Sequence, residues 1–204
     1  MLTRPAKLII SFSLSILAIV LFLIFKGEQR KKCMYAMLLC TVGDVFMVNT
    51  FNLGSFNTYI GAAFFMAAHV IYGLCFLQSS KAKNYKIANK GFVIGIIISG
   101  LAAIVLGILA FTIPSEPQIV MYMLILIYLS IIAFNLVSQF SYAVAEGKIR
   151  KLLIVAMSLF LISDFVIFLS MLYITPEYND FVWATYAPAQ LLIILFNSNF
   201  QKSL

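Results

Sequence analysis

The sequence predicts an all-α membrane protein, a polytopic helical bundle with about seven transmembrane helices. Of its 204 residues, 63% are hydrophobic and only 10% are charged, and the charges gather between long apolar runs. Soluble domains contain about 45–50% apolar and about 25% charged residues. A soluble fold of this size has too little interior for so much apolar surface. We therefore expect one transmembrane domain that covers residues 1–204.

Seven apolar runs meet or approach the roughly 20 residues that a helix needs to cross the hydrocarbon core. They cover 8–25, 33–49, 59–78, 91–113, 118–143, 151–173 and 182–199. Their hydrophobicity is unbroken rather than alternating, which excludes the strands of a membrane β-barrel. The first run is too long for the core of a signal peptide, and no small-residue cleavage pattern follows it. We interpret it as a retained first spanning helix.

The distribution of basic residues predicts the orientation of the bundle. Lys and Arg follow the first, third, fifth and seventh runs, whereas the loops "NTFNLGSFNTY", "PSEP" and "TPEYND" contain neither. By the positive-inside rule, the N-terminus lies outside and the C-terminus is cytoplasmic. Arg4 and Lys7 are mild exceptions. We therefore attribute the net charge of +7 to basic residues in the cytoplasmic loops. The sequence has no nucleic-acid-binding motif, so we expect no nucleic-acid partner. We expect a bacterial cytoplasmic membrane as the location.

Two of the acidic residues, Asp44 and Asp164, lie inside the predicted spans, and so does the single histidine, His69. Such groups are energetically costly at membrane depth and usually face the bundle interior or a wet cavity. At about 1.5 Å per residue, Asp44 lies roughly 8 Å from the outer surface and the other two roughly 14–15 Å. All three fall in the outer half of the bundle, where a shared cavity is one interpretation and a structural polar clamp is the other.

Other polar or small residues occur at helical spacing around these three. His69 shares a helix face with Phe65 and Tyr72, and Tyr186 and Gln190 form an i, i+4 pair around Pro188. Packing is the common alternative role for Tyr and Ser in membrane helices. The three cysteines are scattered without metal-ligand spacing, so we interpret them as packing residues.

Four short motifs occur in a fixed order within the runs: "GDVFM" (43–47), "GAAFFMAAHVIY" (61–72), "LFLISDFVIF" (159–168) and "YAPAQLLI" (186–193). Together they resemble the YhhN-like lysoplasmalogenase family, integral membrane hydrolases that split the vinyl ether bond of lysoplasmalogens. The resemblance covers residues from about 38 to 194. It implies a lysophospholipid substrate among membrane lipids, with Asp44, Asp164 and His69 as catalytic residues. It implies substrate-binding roles for Gly61, Tyr72, Ser163, Tyr186 and Gln190.

The chain also departs from the family pattern. Family members usually have eight helices, with a Lys-Pro motif that opens the second. Here Arg4-Pro5 precedes the first of seven runs, so we interpret "RPAKL" as the counterpart of that motif and include Arg4 among the substrate-binding candidates. Ala156 stands where the family has a glycine.

The residues suit acid–base chemistry on a vinyl ether. Hydrolysis requires a proton on the alkene carbon and then addition of water, for which one carboxylic acid and one carboxylate are suitable. The sequence leaves open which aspartate has which role. We expect no metal ion or other cofactor, since one histidine is too few for a zinc hydrolase of the several-histidine type. The alternative function is a non-enzymatic seven-helix receptor, or a small-molecule or proton transporter that uses the same buried polar cluster.

Overall fold

The computed structural model describes residues 2–83, 119–146, 151–173 and 179–196, together with isolated positions between 89 and 108. All regular secondary structure in these residues is helical, which confirms the predicted fold class. The helices, numbered here in chain order, are α1 (Arg4–Phe25), α2 (Glu28–Met47), α3 (Ser55–Lys83), α4 (Ile119–Glu146), α5 (Lys151–Tyr173) and α6 (Asn179–Phe196). The predicted span 91–113 lies largely outside the described residues.

Within the described residues, three helical segments are long and apolar enough to cross a membrane: Arg4–Phe25, Phe56–Ser80 and Ile127–Val144. Leu152–Ile167 and Asp180–Phe196 are shorter apolar helices. Several helices extend beyond their predicted runs; for example, α2 begins at Glu28 rather than 33, and α3 continues to Lys83 rather than 78. An apolar run marks the part of a helix in hydrocarbon, whereas backbone hydrogen bonding continues into its polar ends.

A short connection makes α1 and α2 antiparallel neighbours. Thr3 caps the start of α1 by accepting a 3.4 Å hydrogen bond from the backbone N–H of Ala6, and Pro5 lies in the first turn. At the other end, Lys26 and Gly27 adopt positive φ angles of 44° and 112°, and α2 begins at the next residue. This tight reversal places the N-terminal half of α1 beside the C-terminal end of α2.

Glycines permit close approach between α2 and α3. A Cβ atom on Gly43 would lie 3.2 Å from the carbonyl oxygen of Gly61, and a Cβ on Gly61 would lie 3.1 Å from the carbonyl oxygen of Gly43. Farther along α3, Gly73 contacts the ring of Phe134 on α4. Small residues at such crossings let membrane helices pack backbone to backbone. The two crossings bring residues of α2 and α4 close to the inward face of α3.

The helix α1 presents apolar side chains outward and polar side chains inward. Ile9, Phe12 and Ile16 are exposed, whereas Lys7 and Ser11 are buried, as is Ser15. This distribution is the reverse of that in a soluble bundle, and it suits a lipid-facing surface around a polar interior.

Candidate functional site

Asp44 lies at the junction of α1, α2 and α6 and is only 3% exposed. Its Oδ2 accepts a 2.5 Å hydrogen bond from the Ser11 hydroxyl and a 3.0 Å hydrogen bond from the Tyr186 hydroxyl. Hydrogen bonds to an ionised acceptor are shorter and stronger than those between neutral groups. Two hydroxyl donors on one oxygen form an arrangement that can hold a carboxylate in the bundle interior.

A hydroxyl network extends from Asp44 toward the middle of the bundle. Thr41, one turn before Asp44, lies 2.6 Å from the Ser15 hydroxyl and accepts a 3.0 Å hydrogen bond from Ser11. Thr41 in turn donates to the backbone carbonyl oxygen of Ser11 at 3.2 Å. These contacts join α1 to α2 next to the carboxyl group, so its position is fixed relative to both helices.

Asp164 pairs with His69 across the interface of α5 and α3. The Nε2 atom of His69 lies 3.3 Å from Oδ2 of Asp164, and both side chains are buried. The two atoms face each other, but their geometry does not meet the criteria for a hydrogen bond. The Tyr128 hydroxyl of α4 also interacts with this carboxyl group. His69 and Asp164, which are predicted from the sequence to lie at similar depth, are in direct contact.

Two amides on α4 determine how the imidazole is protonated. The Nδ2 of Asn135 lies 2.7 Å from Nδ1 of His69, and the Oδ1 of Asn135 accepts a 3.1 Å hydrogen bond from Nε2 of Gln139. With its oxygen engaged by Gln139, Asn135 presents its NH₂ group to the ring. Nδ1 then accepts, and the proton of a neutral imidazole is on Nε2, facing Asp164.

Aromatic rings connect the two carboxyl groups. The ring centroid of Phe160 lies 4.7 Å from that of His69 and 5.4 Å from that of Tyr186, and both pairs are edge to face. The rings of Phe65 and Trp183 pack against Tyr186 at 6.0 and 5.5 Å. A continuous chain of contacts therefore joins Asp164 to Asp44 through the imidazole and two aromatic rings.

The remaining residues predicted to bind substrate are placed differently from one another. Tyr72 donates a 3.0 Å hydrogen bond to Oε1 of Gln190, whose Nε2 lies 3.2 Å from Sγ of Cys40. The Ser163 hydroxyl donates a 3.4 Å hydrogen bond to the backbone carbonyl oxygen of Val182. Gly61 lies at the α2–α3 crossing, and Arg4 is exposed at the start of α1.

Two residues that the sequence reasoning did not select also lie in this region: Ser11, which donates to Asp44, and Lys7, which is buried one turn earlier. The Nζ of Lys7 lies 3.6 Å from Oδ1 of Asp180 at the start of α6. The detectable signal was the i, i+4, i+8 spacing of Lys7, Ser11 and Ser15 on one face of an apolar helix. In the part of the chain that the structure describes, no group of three or more His, Cys, Asp or Glu residues is arranged to hold a metal ion.

Apolar helices surround two buried carboxyl groups and an imidazole, which defines the class: an integral membrane helical protein with an ionisable interior. A model of the YhhN family matches residues 6–197, and the chain belongs to this family, which includes lysoplasmalogenases. Neither the curated proteins nor the solved structures contain a match.

Proposed function

We propose that this protein is a lysoplasmalogenase-type hydrolase, which cleaves the vinyl ether bond of a lysophospholipid to a fatty aldehyde and a glycerophospho-headgroup product. The observation that carries the proposal is the burial of Asp44 and Asp164 on two helices, each in contact with polar groups of other helices. Membership of a family that includes lysoplasmalogenases supports the same reaction. We propose the bacterial cytoplasmic membrane as its location, with the N-terminus outside.

The surroundings of the two carboxyl groups favour different roles. Asp44 receives two hydroxyl hydrogen bonds on one oxygen, an arrangement suited to a carboxylate that orients water and stabilises positive charge. Asp164 faces the Nε2–H of His69, which can stabilise its carboxylate form after the carboxylic acid has given a proton to substrate. We therefore assign Asp164 as the acid and Asp44 as the base.

The reaction then proceeds with a balanced set of protons. The acid form of Asp164 protonates the alkene carbon distal to the ether oxygen, and the adjacent carbon becomes an oxocarbenium ion. Water adds to that carbon while Asp44 takes a proton from the water. The hemiacetal carbon–oxygen bond to glycerol breaks as Asp44 returns this proton to the ether oxygen. The hemiacetal hydroxyl gives its proton to Asp164, and the aldehyde is released.

The direct test measures aldehyde release by the purified protein in detergent. A 1-alkenyl lysophospholipid should be hydrolysed, whereas the matched 1-alkyl lipid, which has no alkene to protonate, should remain intact. Asp44→Asn and Asp164→Asn should each lower kcat by about 10²–10⁴-fold, the usual contribution of a positioned acid or base. Glu28→Gln is the control, since this exposed carboxylate begins α2 at the opposite end. Absence of aldehyde from the wild-type protein would overturn the proposal.

A further inference from the structure

Lys7 is a cation in the interior of the bundle, at the end nearest Asp44. Its side chain is 5% exposed, although it lies only one turn inside the start of α1. Lysine side chains near membrane surfaces usually extend their ammonium group into water. The Lys7 side chain instead lies between α1 and α6, where its ammonium group is 3.6 Å from the carboxylate of Asp180.

The position of Lys7 is fixed relative to the proposed catalytic centre. Lys7 and Ser11 are four residues apart on the buried face of α1, and Ser11 donates its hydroxyl to Asp44. Four residues of α-helix rise about 6 Å along the axis. The backbone of Lys7 therefore lies about one turn farther toward the outer end than that of Ser11.

This separation corresponds to a spacing within the substrate. In a lysoplasmalogen, about five bonds of the glycerol backbone separate the vinyl ether oxygen from phosphorus. An extended chain advances roughly 1.2 Å per bond, so the two groups are about 6 Å apart. A lipid whose vinyl ether lies beside Asp44 can place its phosphate one helical turn farther out, at the level of Lys7.

Asp180, which pairs with Lys7, can be replaced by such an anion. The Asp180 side chain is 39% exposed and accepts a hydrogen bond from the backbone N–H of Leu2 at 3.0 Å. A buried cation requires a counter-charge, and an ammonium group suits a phosphate as well as a carboxylate. Because Asp180 is accessible to water, it loses less than a buried carboxylate would when an incoming anion replaces it.

We propose that Lys7 binds the phosphate of the lysophospholipid headgroup in exchange for Asp180, and so positions the vinyl ether beside Asp44. This inference rests on the proposed function for the identity of the lipid. It makes Lys7 a determinant of specificity for phosphate-bearing ether lipids over neutral 1-alkenylglycerols.

The test measures binding separately from catalysis. The single tryptophan, Trp183, packs against Tyr186, so its fluorescence can report a ligand in this region. The probes are a non-hydrolysable 1-alkyl lysophospholipid and the 1-alkylglycerol of equal chain length, titrated in one detergent. Lys7→Met should raise the Kd of the phospholipid about tenfold to hundredfold and leave that of the alkylglycerol within about twofold. Lys7→Arg should retain phospholipid binding.

A matched control and a second variant separate this site from general effects. Lys31→Met removes an ammonium that also pairs with a carboxylate, Glu28 at 4.0 Å, but at the opposite end of α1 and α2, and it should change neither Kd. Asp180→Asn removes the competing carboxylate and should tighten binding of the phospholipid alone. Equal loss of both lipids in Lys7→Met, or unchanged or weaker phospholipid binding in Asp180→Asn, would overturn the inference.

Failure of the proposed function has a different signature. If the wild-type protein binds the phospholipid through Lys7 but releases no aldehyde from the 1-alkenyl form, the phosphate site stands and the hydrolase proposal is wrong. If aldehyde is released and Lys7→Met has the same kcat and KM as wild type for the 1-alkenyl lysophospholipid, the hydrolase proposal stands and the phosphate site is wrong.

Discussion

The hydroxyl of Tyr186 on α6 donates a 3.0 Å hydrogen bond to Oδ2 of Asp44 on α2, across 142 residues of sequence. The ring of the same tyrosine packs edge to face on Phe160, which in turn contacts His69. Tyr186 therefore contributes its hydroxyl to one carboxyl group and its ring to the surroundings of the other. This double role makes it the most informative single position in the proposed site.

Replacing Tyr186 with phenylalanine should lower kcat for aldehyde release by about tenfold to hundredfold. The change removes one of the two donors to Asp44 but retains the ring, and a hydrogen bond to a charged group contributes about 1.5–3 kcal/mol. Steady-state assay of aldehyde checks this expectation, with Tm as the check on folding. Tyr35→Phe, at an exposed tyrosine of α2, should have no effect. A Tyr186→Phe enzyme with wild-type kcat would show that this hydroxyl has no part in the reaction.

The amide of Asn135 should control catalysis without contacting substrate. In Asn135→Asp the new carboxylate accepts a hydrogen bond from the Nδ1–H of His69, so a neutral imidazole no longer presents an N–H to Asp164. We expect kcat to fall by about tenfold or more with a changed pH–rate profile and little change in KM. A matched substitution on α4 is Ser138→Ala, which removes a hydroxyl that donates to the carbonyl oxygen of Phe134 on its own helix. An unchanged pH profile in Asn135→Asp would contradict the assignment of the tautomer.

The predicted orientation can be tested by labelling single cysteines in a background without Cys33, Cys40 and Cys75. Cysteine introduced at Asn52, in the connection between α2 and α3, should react in intact cells with a membrane-impermeant maleimide. Cysteine at Lys31, near the start of α2, should react only after the cells are opened. Asn52 is exposed in that connection, and the Lys31 side chain is accessible in the first turn of α2. The reverse pattern would place the basic loops outside, contrary to the positive-inside rule.

Much of the interior followed from where polar residues interrupt apolar runs. Asp44, His69 and Asp164 were predicted to face inward because lipid exposure of an ionisable group is costly. The contact between His69 and Asp164 could not be derived, since one sequence carries no information on which faces of α3 and α5 meet. Asn135 and Gln139 were visible as polar residues, but their connection to the imidazole depends on the rotation of α4.

The start of α1 illustrates a second limit. The family motif directed attention to Arg4, which is exposed, whereas Lys7 is the buried cation. A motif match compares residue types along the sequence, but burial depends on which face of the helix turns toward the bundle interior. The phase of α1 is set by Ser11 and Ser15, whose hydroxyls bond Thr41, and Lys7 lies on their side. Serine is common in apolar helices as a packing residue, so its role became evident only from its partner.

Gly61→Ala should destabilise the fold and reduce activity through the position of Asp44. The added methyl would lie 2.7 Å from Cγ of Met47 and 3.1 Å from the carbonyl oxygen of Gly43, so α2 and α3 must separate or Met47 must move. Overpacking of this kind costs about 1–3 kcal/mol in the free energy of unfolding. A lower Tm in detergent and a lower kcat are expected.

The side chain and backbone parts of this clash can be separated. Met47→Ala removes the nearest atoms, so the double variant Gly61→Ala/Met47→Ala should recover part of the stability lost in Gly61→Ala, relative to Met47→Ala alone. The contact with the backbone of Gly43 remains, so recovery should be incomplete. Gly100→Ala is the control, because a methyl there meets no atom of the described residues within 4 Å and should leave Tm unchanged or slightly higher. If Gly61→Ala had the Tm of wild type, α2 and α3 would not cross at these two glycines.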